Sequence, residues 1–540
     1  MKIVGYVQAL NSGSVFPDDL VRKIDGKSLT QRVIENAKKF DISSQDIHVH
    51  TNSEEVALNA ERAGAIAIYE SDQFSEQKEA VSRAFEYCKN IVSTEDVLLK
   101  LSPYSPLLEV QTLKDALAKL LDTGADVIIG TIDRPVSEVI ENHTTIDLEF
   151  QLASSVTSKA KSDAFSMIRG CCFGSNNSDC LRLDTISIKN EFTDIRNSQD
   201  WWVCEKHLQR KRVIFRVIGN DQVGMGHIYR SLTLAHELID HEIIFVADLE
   251  SKQAVKDLVN RDYRIEVFDR YRIVDNIVNL KPDLVINDIL NTSRGDVLKL
   301  QSVGTRVINF EDLGDGAPLA NTTINELYDF PTVPGENIRW GSNYYFVRDE
   351  FVDAQPCEYS NIPKGLLLVF GGTDPNDLTR AMLLTINHIC LERSIPIHVV
   401  TGPGYRSFNR LVTLVETMDG VSLTHVTGVI SKIMEKVSIA ITSNGRTVYE
   451  MAHMNIPAIV IPQHDRERTH TFATLENGFV ALETYKKGHT EDIVAAELIK
   501  ILDNHKYRKS LFDRTVRHRF SENKFKVVEL VKDALITSAQ

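Results

Sequence analysis

The residues of this chain best suited to chemistry are His227 and the two glycines before it, Gly224 and Gly226. They lie between an apolar run, RVIFRVIG, and a helical pattern. Glycine lets a backbone approach a ligand closely, and a helix N-terminus offers unpaired N–H groups to phosphate or sugar oxygens. A neutral imidazole there can accept a proton from water. A lone histidine is more often structural, but this succession favours a catalytic base. Arg230, one turn later, either faces the same cleft or lies in solvent.

A second candidate segment is GLLLVFGGTDPNDLT, in which an apolar run ends in two glycines before a helical pattern. Glycines at the carboxyl end of a strand, followed by Asp or Asn near a helix start, form a turn that can hold a phosphate. The alternative is an ordinary strand–helix loop, although the segment is longer than a helix cap requires. The candidate residues are Gly371, Gly372, Thr373, Asp374 and Asn376.

A third candidate loop follows the apolar run SIAITSNG. Glu450 lies on the helix predicted behind it, where a carboxylate can accept hydrogen bonds from both hydroxyls of a ribose. The loop residues are Ser443, Asn444, Gly445, Arg446 and Thr447.

These loops require strands and helices that alternate, and the chain alternates almost throughout. Such a pattern predicts an α/β fold with parallel sheets covered by helices. The alternation restarts twice, which predicts domains over 1–210, 212–352 and 363–540. The last of these ends in an amphipathic helix over Lys524–Thr537.

Composition narrows the function classes. The chain has 540 residues, 43% hydrophobic and 25% charged, with a net charge of −14. This is typical of a soluble globular protein and offers no basic surface for nucleic acid. No apolar run reaches the roughly 20 residues of a membrane span. The N-terminus resembles a first strand rather than a signal peptide.

Seven cysteines without a regular spacing favour free thiols in a reducing, cytoplasmic compartment. No metal site is predicted. The neighbouring Cys171 and Cys172 could bind a soft metal, but buried small residues are the favoured interpretation. A homo-oligomer is left open.

The segments GMGHIYRSLTLAHEL, VRDEF, GGTDPNDLT and SNGRTVYEMAHMNIPAIVI, in this order, resemble the UDP-sugar hydrolases of pseudaminic acid biosynthesis. Those enzymes are related to the N-acetylglucosaminyltransferase of peptidoglycan synthesis. The resemblance covers about 212–500 and implies a GT-B-like pair of Rossmann-like lobes with a UDP-sugar between them. It also implies hydrolysis of a UDP-linked acetamido-deoxy sugar to UDP and free sugar, without a cofactor. His227 would activate water, the two loops would hold the diphosphate, and Glu450 the ribose.

Some features depart from that family. Asn444 and Arg446 occupy a loop that is richer in glycine or serine in relatives, and Asp288 and Asp312 stand at predicted strand ends without an assigned role. The identity of the sugar therefore stays open within nonulosonic acid synthesis of the pseudaminic, legionaminic or sialic type and surface polysaccharide synthesis.

The N-terminal unit resembles the nucleotidyltransferases that activate sialic-acid-like sugars with CTP. VQALNSGSVFPDDLVRKIDGKSLTQRVIENAK, SPYSPLLE and TDIRNSQDWWVCEKHL carry the resemblance, which implies a nucleotidyltransferase-like domain of Rossmann type. The family's three triphosphate-binding cations, however, are replaced by Leu10, Val15 and Asp19. Its second Mg²⁺-binding acid, beside Asp194, is replaced by Arg196.

An aspartate beside phosphates repels them, and one carboxylate with a cation is a poor Mg²⁺ site. We therefore expect a catalytically lapsed domain, with Mg²⁺ required only if it is active. Lys23, Arg22 and Lys27 are the residues that could substitute for the lost cations.

The leading hypothesis is thus a UDP-sugar hydrolase fused to a lapsed cytidylyltransferase-like domain. The alternatives are a GT-B glycosyltransferase that passes the sugar to an acceptor, a bifunctional enzyme with an active CTP site, and a non-catalytic nucleotide-sugar sensor.

Overall fold

The computed structural model divides the chain into two compact units, Met1–Arg210 and Lys211–Gln540. Each unit contains its own sheets and its own buried apolar clusters. The structure describes residues 1–10, 18–70, 77–135, 157–173, 182–188, 194–220, 223–252, 255 and 263–536.

Unit Met1–Arg210 is built on a seven-stranded mixed sheet in the order β5-β4-β1-β6-β8-β7-β9. The first half of the sheet is parallel, and β8 runs antiparallel to both β6 and β7. The strands are β1 (Ile3–Gln8), β2 (Lys23–Ile24), β3 (Lys27–Ser28), β4 (Ile47–Thr51), β5 (Ile66–Tyr69), β6 (Val97–Leu101), β7 (Val127–Pro135), β8 (Thr157–Arg169) and β9 (Leu183–Ser187). The helices are α1 (Leu29–Lys39), α2 (Glu54–Arg62), α3 (Gln77–Ile91), α4 (Val110–Thr123) and α5 (Ser198–Leu208).

The second unit begins with a lobe whose seven strands are all parallel, in the order β12-β11-β10-β13-β14-β15-β16. Its inner strands are continuous apolar runs, because helices or loops cover both faces of such a sheet. The strands are β10 (Arg212–Val217), β11 (Glu242–Asp248), β12 (Arg264–Phe268), β13 (Leu284–Asp288), β14 (Arg306–Phe310), β15 (Thr322–Asn325) and β16 (Ile338–Trp340). The helices are α6 (Gly226–His236), α7 (Ile273–Asn279) and α8 (Arg294–Gln301). We call β10–β16 with α6–α8 the first lobe.

The second lobe has a six-stranded parallel sheet in the order β19-β18-β17-β20-β21-β22. Its strands are β17 (Leu366–Val369), β18 (Ile397–Thr401), β19 (Val421–His425), β20 (Ile439–Thr442), β21 (Ala458–Val460) and β22 (Phe479–Ala481). Its helices are α9 (Leu378–Glu392), α10 (Phe408–Val415), α11 (Ser431–Met434), α12 (Thr447–His453), α13 (Asp465–Arg468), α14 (His489–Asp503) and α15 (His505–Thr515).

The final helix, α16 (Asn523–Ile536), leaves the second lobe and packs on the first. Val527, Val528 and Val531 are buried in the same apolar cluster as Val213 and Phe215 of β10. The observed helix begins one residue before the predicted one and continues to Ile536, and the predicted last residue, Thr537, lies outside the described residues. The chain therefore crosses between the lobes twice.

The fold class predicted from the sequence is confirmed: the protein is α/β, and its second unit is a GT-B-like pair of Rossmann-like lobes. In both lobes the strand order reverses beside the first strand, β10 or β17. Ligands of such sheets bind outside the carboxyl ends of the strands at that point. None of the described helices is both long and apolar enough to span a membrane.

Candidate active site

Four strand ends converge on one cleft of about 300 Å³ between the two lobes of the second unit. In the first lobe, β10 leads to the loop before α6. The strand next to it, β13, ends in Asp288. In the second lobe, β17 leads to Gly371, and its neighbour β20 leads to Ser443. Parallel pairing brings the carboxyl ends of adjacent strands together, which explains why segments distant in sequence meet.

His227 lies in the first turn of α6 and borders the cleft, with only 6% of its surface exposed. Its Nδ1 is 2.5 Å from Oδ1 of Asp288. Nδ1 also lies 3.2 Å from Nη2 of Arg230, which can only donate. A carboxylate only accepts, so the proton on Nδ1 is assigned to the bond with Asp288. Nε2 then carries the lone pair, and no hydrogen bond to it is formed within the described part of the chain.

Asp288, which had no assigned role in the sequence, is the partner that orients the base. It is fully buried and also accepts hydrogen bonds from Arg230 Nε at 2.7 Å and Ser231 Oγ at 3.2 Å. Burial alone would raise the pKa of this carboxyl, but Arg230 and His227 outweigh burial and hold the pKa well below its usual range. Asp288 is therefore ionised at neutral pH.

Arg230 faces the cleft, as the first of the two alternatives predicts, and the solvent-exposed alternative is wrong. It borders the cleft with 1% of its surface exposed. Its guanidinium bonds to both oxygens of Asp288 and to Glu326. Glu311 lies 3.5 Å away. With its donors committed to acids, Arg230 is placed to orient other side chains.

The opposite wall of the cleft is formed by the two loops predicted to bind a phosphate. Gly371, Gly372, Thr373, Ser443, Gly445 and Thr447 all border the cleft, as do Gly224 and Gly226 across from them. Gly371 has a φ of 75°, which favours glycine. A Cβ on Gly402 would lie 2.4 Å from the Cα of Gly372, so this loop is packed backbone to backbone. The first turn of α6 has no side-chain cap, which leaves its N–H groups available to a ligand.

Arg446 extends from the second lobe across the cleft. Its Nη1 is 2.5 Å from Glu326 Oε1 of the first lobe, and its guanidinium lies 4.6 Å over the ring of Tyr345. Its stem passes the start of α6, because a Cβ on Gly226 would lie 3.1 Å from Arg446 Cδ. Gly226 therefore permits this approach of the two lobes.

Glu450 borders the cleft but already has a cationic partner. Its Oε1 accepts a hydrogen bond from Arg348 Nε at 3.0 Å. Arg348 also pairs with Glu350 at 2.8 Å and lies over the ring of Tyr229. A ribose at Glu450 would thus share the carboxylate with an arginine that the sequence did not suggest.

Three predicted site residues do not border the cleft, and each has a structural use. Asp374 accepts hydrogen bonds from the N–H groups of Leu378 and Thr379 and so caps α9. The exposed Asn376 donates to the carbonyl of Gln463. Asn444 is buried and donates to the carbonyls of Glu467 and His470. These amide and carboxyl groups hold the loops in shape.

A second set of charged or titratable residues borders the cleft: Glu311, Arg466, Glu467 and His470. Glu311 follows β14 with a φ of 54°, and Arg466 donates to its carbonyl at 2.6 Å. Burial would raise the pKa of Glu311, but His227, Arg230, His470 and Arg466 together lower it. Burial raises the pKa of Glu467 from its ordinary 4.5 to about 7, and burial lowers that of His470. Arg466, Glu467 and His470 lie in one polar segment after β21, whereas Glu311 follows β14, so no single motif contains all four.

In unit Met1–Arg210, the two candidate acids, Asp19 and Asp194, have different hydrogen-bond partners. Asp19 is buried and accepts a hydrogen bond from the Tyr104 hydroxyl at 3.3 Å. Asp194 accepts from Ser105 at 2.9 Å and pairs with Arg196 at 3.0 Å. Both carboxylate oxygens of Asp194 therefore have a partner, and one of these partners is a cation.

The other candidate residues of this unit differ in how exposed they are. Leu10 is half-buried, whereas Arg22, Lys23 and Lys27 are exposed. Lys27 pairs with Glu35. Val15 lies outside the described residues.

The vicinal cysteines differ from expectation, because Cys171 is exposed and Cys172 half-buried. Together with Asp126 they offer three ligand atoms within 4.8 Å of one another. Two sulfurs and one oxygen are fewer than the four ligands of a structural zinc site.

Asp312, the other strand-end acid, is buried and accepts hydrogen bonds from Thr292 and Asn309.

Residues 366–523, which make up most of the second lobe, match the glycosyltransferase family 28 C-terminal domain. An uncharacterized protein of Methanocaldococcus jannaschii is 28% identical over 270 residues, 46% of this chain and 55% of that protein. The chain therefore spans about half the length of this relative.

Solved structures are more distant. Acinetobacter baumannii MurG has a TM-score of 0.44 at 15% identity, covering 60% of this chain and 99% of that one. CMP:2-keto-3-deoxy-manno-octonic acid synthetase complexed with CTP has a TM-score of 0.30 at 14% identity, covering 38% and 97%. At these TM-scores and identities, neither structure indicates the substrate or the activity of this protein.

Proposed function

We propose that unit Lys211–Gln540 is an enzyme that breaks the bond between the anomeric carbon of a UDP-linked acetamido-deoxy sugar and its diphosphate. The observation that carries the proposal is the pair of His227 and Asp288 at the first-lobe wall of a cleft whose other wall is two glycine-containing loops. This is an oriented base opposite a phosphate-binding surface. The match of residues 366–523 to a glycosyltransferase domain supports it.

The proposed step needs a nucleophilic oxygen, a base and a stabilised leaving group. Asp288 fixes the Nδ1–H tautomer of His227, so Nε2 can accept the proton of the nucleophile as its oxygen attacks the anomeric carbon. The carbon–oxygen bond to the diphosphate breaks, and UDP departs with the bonding electrons. Backbone N–H groups at α6 and at the two loops would stabilise that charge, so the step requires no metal.

Water is the proposed nucleophile, which makes the activity a hydrolysis that yields UDP and free sugar. This finer assignment rests on the resemblance of GMGHIYRSLTLAHEL and the later motifs to UDP-sugar hydrolases. It places the enzyme in nonulosonic acid and surface polysaccharide synthesis. Transfer to the hydroxyl of an acceptor is the second candidate, and the match to the glycosyltransferase family 28 domain favours it.

The test is an incubation of full-length protein with a panel of UDP-linked acetamido sugars, without acceptor, in which UDP and free sugar are measured. Release of both at a catalytic rate, abolished in His227→Ala with its fold intact, supports hydrolysis. UDP-sugar binding with release only after an acceptor alcohol is added would establish the transferase instead. Absence of binding to every UDP-sugar would overturn the proposal.

For unit Met1–Arg210 we propose a nucleotidyltransferase-like domain that has lost its catalysis. The pairing of Asp194 with Arg196 and the burial of Asp19 support this proposal. The test is a mixture of full-length protein, CTP, Mg²⁺ and a nonulosonic acid. No pyrophosphate is expected, and its release at a catalytic rate would establish a bifunctional enzyme.

A cytoplasmic location is part of the proposal, because none of the six described cysteines forms a disulfide.

A further inference from the structure

A continuous row of titratable side chains, four of them buried and Arg446 half-buried, links His227 to the second lobe. From His227 the contacts run to Asp288, then to Arg230, then to Glu326, and finally to Arg446 across the cleft. Arg230 and Glu326 are each 1% exposed. We call these five side chains the charge array. The proposed chemistry uses only its first two members directly.

Arg230 determines how Asp288 is oriented. Its Nε and Nη2 bond to the two oxygens of Asp288, a bidentate arrangement that fixes the plane of the carboxylate. Because Oδ1 of that carboxylate accepts from His227 Nδ1, fixing the plane also fixes the imidazole ring and its tautomer. Arg230 thus acts on the base through Asp288.

Glu326 joins Arg230 to the other lobe. Its Oε1 bonds to Nη1 of Arg230 and to Nη1 of Arg446. Its Oε2 is buried without a hydrogen-bond partner among the described residues. Burying a carboxylate is costly unless cations compensate it, so Glu326 depends on both arginines. Without Arg446, Arg230 would be the remaining member of the array that compensates Glu326.

We propose that Arg230 and Glu326 are positioning residues that make the orientation of His227 depend on Arg446, and therefore on closure of the second lobe onto the first. This inference rests on the proposed function, in which His227 is the base. It assigns a use to Arg446 other than binding the diphosphate. It also gives a use to the buried acids and arginine of the array, which would otherwise be costly to bury.

The decisive variant is Glu326→Gln in the full-length protein, which keeps the shape of the side chain and removes its charge. We expect kcat to fall roughly 10- to 100-fold, since small misplacements of a base have effects of that size. The Kd for UDP, measured by calorimetry, stays near the wild-type value. A kcat near the wild-type value, or a loss of UDP affinity as large as the loss of kcat, would overturn the inference.

Arg446→Lys tests the array from the other lobe, where Arg446 is more exposed than Glu326. Lysine keeps a positive charge for a diphosphate but not the planar fork that contacts Glu326. The same pattern, lower kcat with little change in UDP affinity, is expected. Thr471→Val is the matched control, because it removes the cross-lobe hydrogen bonds of the Thr471 hydroxyl with Asp329 and with the carbonyl of Leu327, all outside the array. It should leave kcat unchanged; an equal loss in this control would mean that any cross-lobe contact matters.

A measurement without substrate separates this inference from the proposed function. In full-length protein labelled with ¹⁵N-histidine, two-bond ¹H–¹⁵N spectra identify the tautomer of His227, with His227→Gln used for assignment. Wild-type protein should show a proton on Nδ1, and Glu326→Gln and Arg446→Lys should shift or broaden that signal while Thr471→Val does not. Identical spectra in all four proteins would refute the array, even if UDP-sugar turnover were confirmed. Altered spectra without turnover would instead refute the proposed function alone.

Discussion

At the scale of single residues, the site is defined by how its charges are paired. His227 and Arg230 lie on one face of α6, and both contact Asp288 at the end of a neighbouring strand. Arginines in the cleft region pair with acids: Arg446 with Glu326, Arg348 with Glu450, and Arg466 with Glu311. Removing one member of such a pair leaves the other with less opposite charge to compensate it.

Asp288→Asn should therefore have two effects. Turnover should fall on the order of 10²- to 10⁴-fold, because the amide no longer fixes the proton on Nδ1 of His227. The free energy of unfolding should fall by roughly 3–5 kcal/mol, because Arg230 loses its bidentate partner. Turnover assays and chemical denaturation measure these effects.

Asp312→Asn is the control for Asp288→Asn, since Asp312 is also a buried acid that follows a strand of the same sheet. Its carboxylate accepts hydrogen bonds from Thr292, Asn309 and backbone N–H groups. Turnover per folded molecule should be kept in Asp312→Asn. Equal losses of turnover in the two variants would contradict the role of Asp288.

Glu467 should make stability fall as pH rises through neutrality. Burial raises its pKa from 4.5 to about 7, so between these values the folded protein holds a proton that the unfolded chain has lost. The stabilisation is complete below pH 4.5, declines as pH rises to 7, and is absent above. The unfolding free energy of wild type minus that of Glu467→Gln should drop by on the order of 1–3 kcal/mol from pH 4.5 to pH 8.

Denaturation curves across that pH range measure the Glu467 effect, and the exposed Glu476, changed to Gln, is the control. A difference between wild type and Glu467→Gln that is flat with pH would show that Glu467 ionises normally.

At the scale of elements, strand order decides which loops meet. β10 and β13 are neighbours in one sheet, and β17 and β20 are neighbours in the other. The apolar runs and the glycines after them allowed these strands and loops to be predicted from sequence. The pairing of Asp288 with His227 could not be predicted, since it depends on β13 lying beside β10 across 61 positions of sequence.

Gly226→Ala tests the close approach of α6 to the second lobe. The added Cβ would lie 3.1 Å from Arg446 Cδ, so the arginine must shift. Turnover should fall roughly tenfold, although alanine favours the helix by about 0.5–1 kcal/mol. Gly295→Ala, at the start of α8, is the control, because its nearest neighbour is 3.9 Å away. Unchanged turnover in both variants would show that Arg446 accommodates the methyl group.

At the scale of the whole molecule, α16 joins the end of the chain to the first lobe. Lys524 pairs with Glu237 at 2.7 Å and Asp349 at 2.8 Å, and Asn523 donates to the carbonyls of Ser342 and Tyr345. The second unit is therefore held together by two crossings of the chain as well as by the charged contacts of the cleft.

Val531→Ala should destabilise the second unit by roughly 1–3 kcal/mol, because the valine is fully buried in the first-lobe core. Ile536→Ala on the same helix is the control, since Ile536 is 77% exposed and should change stability by less than about 0.5 kcal/mol. Chemical denaturation of the full-length variants measures both. Equal effects would mean that α16 does not pack on the first lobe in solution.

The sequence by itself determined the α/β class, the two-lobed second unit and the loops that border its cleft, because periodicity and glycine placement are local properties. Only the tertiary structure decided how charges are paired. It turned Arg230 from a candidate ligand into a partner of Asp288 and Glu326, and it gave Asp374, Asn376 and Asn444 structural uses. The physical reason is that the partner of a buried charge is fixed by strand neighbours and lobe contacts far away in sequence, which no local pattern records.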